Sequence, residues 1–327
     1  MSEKMFIQAI NEAIAEEMRR DEKVVVIGQD VKVSVFGATT RLFEEFGGNR
    51  VIQTPVSEAA GVGSALGLAV SGFRPIVELV VAGFSALVAS DQILNQVTKI
   101  RYRTGGQAKA PMVFLFCYGG TGSGVFHTQS LYPIFMHFPG LKIAIPSTPH
   151  DAKGLMKTAI RDENPVAFFL SAPLHLMKGH VPEEEYITPF GEATILREGK
   201  DLTMVATGFC VHQVLKVASE YLNKRGYSAE VIDIRTPVPL DKQTILDSVK
   251  KTGKVIIVDE AQRTCGLASE IAATVVEQGF AFLKAPIKRV TPLDAPIPSS
   301  TPLGNYLVLN EEKIIKAAEE VLAYGRV

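Results

Sequence analysis

The stretch TPVSEAAGVGSALGLAVSGFRPIVELVV, residues 54–81, decides the fold class of this 327-residue chain. Turn-forming residues at its start precede Glu58, and a run of small and apolar residues follows as far as Arg74. A nearly continuous apolar stretch, residues 75–81, comes next. This order predicts a helix that begins near Glu58 and then a strand buried on both faces, which is typical of a parallel sheet covered by helices.

The same alternation extends along the chain. Apolar runs predict strands at residues 24–28, 75–81, 111–117, 141–146, 165–170, 202–207, 228–234, 254–260 and 287–290. Helical patterns lie between them at residues 85–103, 151–162, 210–224, 241–251, 267–278 and 310–324, after an amphipathic helix over residues 1–20. Residues 178–201, rich in Pro, Gly and acids, interrupt this rhythm, and we interpret them as a linker. The pattern predicts two parallel-sheet α/β domains, residues 1–185 and 186–327.

Composition argues against several classes of function. Hydrophobic residues at 46% and charged residues at 21% are typical of a globular protein with a sizeable core. A net charge of −1 without a basic block gives no electrostatic reason to expect nucleic acid or an anionic membrane as a partner. The three scattered cysteines argue against a disulfide framework or a zinc site, and the N-terminal stretch reads as a helix rather than a signal peptide. We therefore expect a cytoplasmic protein.

Glu58 is the first residue to which chemistry can be assigned. It is expected in the first turn of a helix, at the carboxyl end of the preceding strand, where open α/β sheets bind ligands. From position alone, its carboxylate could merely complement the helix dipole, an effect worth about 0.3–1 kcal/mol. Its apolar neighbours favour a second interpretation, in which a partly desolvated carboxyl exchanges a proton with a bound ligand.

Two more residues follow predicted strand ends. The stretch CYGGTGSGVFHTQS, residues 117–130, leaves a strand through a glycine-rich loop and reaches His127. Such loops bring backbone close to ligands or form anion-binding nests, although this stretch taken alone favours a flexible turn with a hydrogen-bonded histidine. Phe84 opens the helix after residues 75–81, where it could stack on a flat heterocycle or pack in the core. The order of these signals is more specific than any one of them.

That order resembles a known family. The resemblance rests on TPVSEAAGVGSALGLAVSGFRPIVEL (54–79), DQILNQVTKIRYRTGG (91–106), HTQSLYPIFMHFPGLKIAIPSTPHDAKGLMKTAIRDENPV (127–166) and AEVIDIRTPVPLDKQTILDSVKKTGKVIIVDEAQ (229–262), and it covers residues 4–325. The chain is similar to the β-subunit of the thiamine-diphosphate-dependent decarboxylating component of 2-oxo acid dehydrogenase complexes, a family shared by pyruvate, branched-chain 2-oxo acid and acetoin dehydrogenases.

The resemblance implies a pyrimidine-binding, thiamine-diphosphate fold followed by a transketolase C-terminal-like domain. It implies that Glu58 is catalytic and hydrogen-bonds the aminopyrimidine ring nitrogen, and that Phe84 packs near that ring, although this stretch differs from the family by one residue in length. It implies that His127 lies near the reactive carbon, as a proton donor or orienter when the acyl group passes to a lipoyl arm. Main-chain groups around Ile160, Asp162 and Asn164 match a monovalent-cation loop, for K⁺, in some relatives.

The partners follow from the same resemblance. Thiamine enzymes usually hold the diphosphate through Mg²⁺ bound by a G-D-G stretch, and this chain contains no G-D-G. An α-subunit is therefore expected to bring the Mg²⁺ site, in an α2β2 tetramer with active sites between chains. The expected substrates are a 2-oxo acid or acetoin, and the expected acyl acceptor is a lipoyl acyltransferase component.

Two departures from the family pattern keep other functions open. Gln29 and Ser171 stand where relatives usually carry acids, and APLHLMKGH follows the second position. A two-chain transketolase-like enzyme that needs no lipoyl partner is one alternative. A non-catalytic scaffold or regulatory chain that retains the fold is the other.

Overall fold

The computed structural model describes residues 2–325, and these form two compact units. The first unit comprises the chain as far as Gly119 together with Ile134–Phe190. The second comprises Gly120–Pro133 and the chain from Gly191 onward. Both are α/β units built on a largely parallel sheet, as the apolar pattern predicts. The division into domains of residues 1–185 and 186–327 stays a prediction.

The strands in chain order are β1 Ser2–Met5, β2 Val24–Gly28, β3 Val51–Gln53, β4 Arg74–Val81, β5 Val113–Tyr118, β6 Lys142–Ala144, β7 Val166–Ser171, β8 Lys178–Val181, β9 Thr194–Arg197, β10 Leu202–Ala206, β11 Ala229–Asp233, β12 Val255–Val258 and β13 Lys288–Val290. The helices are α1 Phe6–Arg20, α2 Leu42–Phe46, α3 Glu58–Val70, α4 Thr98–Arg103, α5 Gly124–His127, α6 Tyr132–Met136, α7 Pro149–Arg161, α8 Cys210–Lys216, α9 Lys242–Thr252, α10 Leu267–Gly279, α11 Thr301–Leu307 and α12 Glu311–Ala323. Each predicted strand is present, with ends within about two residues of the predicted ones.

The sheet of the first unit has six parallel strands in the order β3-β2-β4-β5-β7-β6. Strands β2, β5 and β7 are buried along their whole length, which explains their continuous apolar sequences. Helix α7 begins where Thr148 accepts a hydrogen bond from the N–H of Asp151 at 3.1 Å, with Pro149 as its first residue. It packs against α1, and Lys153 and Lys157 reach the acids of that helix.

The sheet of the second unit has the order β13-β12-β10-β11-β9, parallel except for β9 at one edge. Its core includes Met204, Val231, Ile256 and Ile314, all fully buried. Among residues 2–325, no helix combines the length and the apolar character needed to cross a membrane.

Three local predictions are wrong. The predicted linker at 178–201 contains β8, which pairs antiparallel with β1, and β9, which adds the edge strand to the second sheet. Residues 2–5 form β1 rather than the start of a helix, because they pair with β8. Since β8 lies far away in sequence, no local pattern indicates this pairing. The helix predicted at 85–103 is interrupted by wider turns at Ala82–Ala86 and Gln92–Val97, and regular helix resumes at α4.

Candidate functional site

Glu58 is the first residue of α3, at the carboxyl edge of the first sheet. The N–H of Thr54 donates to the carbonyl of Gly28 at 2.9 Å and ties the segment before α3 to the end of β2. The Glu58 side chain is 8% exposed, and its Oε1 atom forms no hydrogen bond within residues 2–325. Glu58 lines a small cavity together with Gln29 and Glu78. A buried acceptor without a donor, at the edge where α/β sheets bind ligands, is suited to a ligand N–H.

Strands β2 and β4 approach each other closely beside this cavity. Gly28 is paired with Glu78 in the parallel register, and a Cβ atom at Gly28 would collide with the Glu78 carbonyl. Glycine is required here by this close approach. The absence of a side chain at Gly28 allows β2 to approach β4 at Glu78, a residue that also lines this cavity.

A β-bulge interrupts β4 between Glu78 and Val81. Glu78 is opposite Leu115 and Val81 is opposite Cys117, so β4 has one residue more than β5 between these pairs. Val80 has a φ of 60°, which is strained for a β-branched residue, and its N–H donates to Oε1 of Glu78 at 3.0 Å. The bulge therefore uses the Glu78 carboxyl as a local acceptor.

Phe84 lies in the wide turn Ala82–Ala86, directly beyond the bulge, and 49% of it is exposed. It is therefore a surface aromatic ring rather than a core residue. The bulge at Val80 lies in the stretch that differs by one residue in length from the corresponding stretch of the family named in the sequence analysis. The role of Phe84 near an aminopyrimidine stays a prediction.

Glu78 is a titratable residue that the sequence reasoning missed. The residue is half-buried and borders the cavity, and the loss of solvent around its carboxyl raises the pKa of that group to about 7. The signal in the sequence was one acid within the apolar run at 75–81. An ionisable side chain within an apolar strand is unusual, and one with a shifted pKa beside a cavity is a candidate functional residue.

Cys117 and His175 form a second pair of titratable groups in this unit. Their Sγ and Nε2 atoms are 3.8 Å apart, and the ring of His175 makes an edge contact with Phe36. Burial, followed by the charge of Glu78, raises the pKa of the Cys117 thiol to about 12. Burial lowers the pKa of His175 to about 4. Both groups are therefore neutral near pH 7.

His127 is the last residue of the short helix α5 and is exposed. It belongs to Gly120–Pro133, the segment that forms part of the second unit, whereas Glu58 and Phe84 belong to the first. Within the second unit, Thr121 Oγ1 lies 3.3 Å from Asn305 Oδ1. A Cβ atom at Gly124 would come within 2.9 Å of Ser299 Oγ, so the glycine allows this close packing. The loop is thus attached to residues near the start of α11.

The proposed cation loop follows α7. Nη1 of Arg74 donates to the carbonyls of Ile160 and Asp162, at 3.2 and 3.1 Å. Lys142 pairs with the Asp162 carboxylate, and Asn164 Oδ1 accepts from Arg101 at 2.7 Å. Cationic side chains of the protein therefore already contact these oxygens. The assignment of a monovalent cation to this loop stays a prediction.

Comparison with known proteins assigns this chain to a family. Residues 2–175 match the family described as transketolase, pyrimidine binding domain, and residues 191–314 match transketolase, C-terminal domain. The 2-oxoisovalerate dehydrogenase subunit beta of Bacillus subtilis is 44% identical, over 99% of this chain and 100% of that protein. The chain belongs to the 2-oxo acid dehydrogenase β-subunit family. Its fold class and its relationship to these enzymes are as the sequence predicted.

Other members of the family have different substrates in their names. The acetoin:2,6-dichlorophenolindophenol oxidoreductase subunit beta of Cupriavidus necator is 42% identical over the whole of both chains. The pyruvate dehydrogenase E1 component subunit beta of Bacillus subtilis is also 42% identical, over 99% of this chain and all of that one. Near-equal identities to enzymes of three substrates leave the substrate of this β-subunit open.

Solved structures agree at the level of the fold. A structure titled split gene transketolase, inactive beta4 tetramer, superposes with a TM-score of 0.80 and 24% identity, covering 97% of this β-subunit and 98% of that chain. A transketolase from Pichia stipitis superposes with a TM-score of 0.70 and 13% identity, covering 100% of this chain and 47% of the other. These two likenesses establish the transketolase-like architecture.

The two departures from the family pattern lie at strand ends of this β-subunit. Gln29 directly follows β2, and its Oε1 atom is buried without a hydrogen-bond partner within residues 2–325. Ser171 is fully buried as the last residue of β7. Gln29 thus lies in the Glu58 cavity wall, where it provides an amide rather than a second charge beside Glu58.

Proposed function

We propose that this β-subunit catalyses the thiamine-diphosphate-dependent decarboxylation of a 2-oxo acid, or the cleavage of acetoin, together with an α-subunit. The observation that carries the proposal is the Glu58 carboxyl, buried at the carboxyl edge of the sheet with one oxygen free of hydrogen bonds within residues 2–325. The family matches over both units add the context in which this carboxyl acts.

The residues around Glu58 fit the aminopyrimidine part of the cofactor. Oε1 is a buried acceptor without a partner within residues 2–325, and Glu58 lines a cavity together with Gly28 and Gly61, which have no side chains to fill it. When bound, thiamine diphosphate supplies the carbon nucleophile and the electron sink of decarboxylation. Glu58 accepts the ring N–H, fixes the orientation of the ring and holds the negative charge opposite the protonated nitrogen.

Phe84 and His127 have separate roles in this proposal. The exposed ring of Phe84 packs on the flat heterocycle and excludes water from one of its faces. His127, exposed at the end of α5, donates or orients a proton while the acyl group is transferred. The glycine-rich loop before it gives the backbone the freedom to follow an incoming lipoyl arm.

The assembly includes partners that supply what this chain lacks. An α-subunit would hold Mg²⁺ and the diphosphate, in an α2β2 tetramer, because no G-D-G stretch occurs in this sequence. Among residues 2–325, no group of three or more His, Cys, Asp or Glu side chains is placed to bind a metal. A lipoyl acyltransferase would receive the acyl group, and the complex would act in the cytoplasm.

A K⁺ ion at residues 160–164 receives less support. The carbonyls of Ile160 and Asp162 accept from Arg74, so this pair of oxygens does not fit a bare ion while the guanidinium is present. We derive no catalytic step through this ion.

The test is reconstitution of the chain with its α-subunit and a comparison of wild type with Glu58→Gln. Pyruvate, 2-oxoisovalerate and acetoin are offered as substrates with 2,6-dichlorophenolindophenol as electron acceptor, and thiamine diphosphate binding is measured by calorimetry. We expect Glu58→Gln to lower turnover by at least about 100-fold, since a neutral amide cannot hold the charge. Glu44→Gln, an exposed acid on α2, is the matched control and should retain wild-type turnover.

The alternatives give different results in the same experiment. Turnover with an aldehyde acceptor and none with a lipoyl domain would identify a two-chain transketolase-like enzyme. No cofactor binding with the α-subunit present would identify a scaffold or regulatory chain. Unchanged turnover in Glu58→Gln would refute the role of Glu58.

A further inference from the structure

Cys117 and His175 place a thiol against an imidazole, and the function proposed above uses neither group. The Sγ atom of Cys117 and the Nε2 atom of His175 are 3.8 Å apart. Cys117 is a free cysteine near the end of β5 and is 6% exposed. His175 follows β7 after one short helical turn and is half-buried. The fold thus brings together two metal-binding side chains that are 58 residues apart in the chain.

The backbone of the first unit holds both residues in place. Cys117 lies on β5, which has β4 on one side and β7 on the other. The N–H of His175 donates to the carbonyl of Ala172, and its own carbonyl accepts the N–H of Ile7, both at 3.2 Å. The ring of His175 makes an edge contact with Phe36. The two ligand atoms are therefore positioned by packed elements, as a metal site requires.

The pair is not activated for nucleophilic catalysis. Burial, and then the charge of Glu78, raises the pKa of the Cys117 thiol to about 12. Burial lowers the pKa of His175 to about 4. Transfer of the thiol proton to the imidazole is therefore unfavourable near pH 7, and the thiolate needed for nucleophilic attack is scarce. A metal ion, in contrast, displaces the proton of a thiol that it binds, and it binds an imidazole in the neutral form.

The number of ligands limits which metal ions fit. In the part of the chain that the structure describes, no group of three or more His, Cys, Asp or Glu side chains is placed to hold a metal ion. Zinc in structural sites takes four protein ligands, and magnesium and calcium take several oxygen atoms. Monovalent copper prefers soft ligands such as thiolate and is stable with only two ligands. A thiolate and an imidazole therefore suit Cu(I).

The charge of the site favours the same class of ion. A thiolate and a neutral imidazole together carry one negative charge, so a monovalent cation between them gives a site without net charge. Such a site suits the buried position of Cys117, because an uncompensated charge removed from water is costly.

The separation of the two ligand atoms also fits an inserted ion. Metal bonds of about 2.3 Å to sulfur and about 2.0 Å to nitrogen place these atoms about 3.5 Å apart at a tetrahedral angle and about 4.3 Å apart in line. The observed 3.8 Å lies between these limits. His175 is half-buried, so an ion from solvent reaches the imidazole first and then the thiol.

We propose that Cys117 and His175 form a binding site for one soft monovalent cation of the Cu(I) class. Binding forms one metal–sulfur and one metal–nitrogen bond and breaks the S–H bond. The thiol proton passes to solvent, and no atom changes its oxidation state. The site lies within the first unit and is independent of the proposed function, so neither cofactor nor turnover enters its test.

The experiment titrates the full-length chain with Cu(I) in the absence of oxygen, in competition with a chromophoric Cu(I) chelator. Cys265→Ser serves as the parent protein, because Cys265 is an exposed free thiol. We expect the parent to bind one Cu(I) per chain and to gain an ultraviolet absorption band from the copper–thiolate bond. Cys117→Ala in this parent should lose both. Cys210→Ala, which removes another buried free thiol, is the matched control and should keep both.

Substitutions of His175 separate a ligand from a packing residue. His175→Met replaces the imidazole with a soft thioether and should bind Cu(I) within about ten-fold of the parent. His175→Leu has no ligand atom, so its Kd should rise by at least about 100-fold. Glu78→Gln should bind like the parent, because Glu78 affects the thiol only through its charge. Zn²⁺ at an equal concentration should not displace the bound copper.

Several results would overturn the proposal. They are one Cu(I) retained in Cys117→Ala, equal affinity of His175→Leu and the parent, loss of binding in Glu78→Gln, and displacement of copper by Zn²⁺. X-ray absorption of the copper-loaded parent gives a decision even when a variant does not fold. One sulfur and one nitrogen neighbour of copper would support the site, whereas two sulfur neighbours would refute it.

Discussion

The phenol of Tyr132 donates a hydrogen bond to the carboxylate of Asp259, and both side chains are fully buried in the second unit. The same carboxylate accepts the N–H groups of Ala261 and Ala268, at 3.0 and 2.8 Å. Burial raises the pKa of Asp259, while these donors oppose the shift. Asp259 thus connects the end of β12, the start of α10 and the segment that carries His127.

Tyr132→Phe should therefore destabilise the protein and weaken the attachment of that segment. Loss of the phenol leaves a buried carboxylate with one donor fewer, so we expect the free energy of unfolding to fall by about 1–3 kcal/mol. Urea denaturation measures this change, and Tyr102→Phe, on a residue that is 92% exposed, is the control. Equal stabilities of Tyr132→Phe and wild type would show that this hydrogen bond makes no net contribution to the free energy of unfolding.

His127→Asn should separate the two half-reactions. We expect reductive transfer to a lipoyl domain to fall by about 100-fold, a typical effect of losing a general acid. Dye-linked oxidation should fall much less, because the dye takes electrons without the lipoyl thiol. His180→Asn, on the exposed strand β8, is the matched control. An equal loss in both assays would mean that His127 acts before acyl transfer.

Arg74→Lys should show whether the guanidinium makes the loop at residues 160–164 independent of a metal ion. A lysine cannot span both carbonyls that Arg74 contacts, so we expect a loss of about 1–2 kcal/mol of stability. The wild-type thermal midpoint should be the same in KCl and in choline chloride at equal concentration. A saturable rise of the wild-type midpoint with K⁺ would instead establish the cation site at Ile160, Asp162 and Asn164.

Glu185 should contribute a pH-dependent share of stability. Hydrogen bonds from Lys157 and then Arg161 lower the pKa of its carboxyl to about 2. Because the folded pKa is depressed, the contribution is complete above about pH 4.5 and is lost as the pH falls toward 2. The side chain is largely exposed, so Glu185→Gln should cost below about 1 kcal/mol at pH 7. The difference from wild type in denaturation midpoint should shrink at pH 4, whereas a constant difference would argue against the ion pairs.

The polar residues at strand ends show how far sequence reasoning reaches. Glu58 could be placed because the order of turn, acid and small-residue helix is local, and the structure confirms the helix start. Glu78 was missed because its environment depends on the close approach of Gly28 and on the bulge at Val80, which are features of strand pairing. The strand at residues 2–5 was missed for the same reason, since its partner is β8.

The sequence by itself determined the strands at the continuous apolar runs, their order and the two α/β sheets, because parallel strands buried on both faces need such runs. It did not determine β1, β8 or β9. It also predicted that Glu58, Phe84 and His127 follow strand ends, and their functional roles stay predictions. The tertiary structure alone decided that Gly120–Pro133 joins the second unit, through Tyr132 and Asp259, which are 127 residues apart in the chain. It also decided that Glu78 shares a cavity with Glu58. The attachment of this segment and the shared cavity both depend on contacts between residues that are distant in the chain. No local sequence pattern encodes how far such contacts remove a carboxyl group from water.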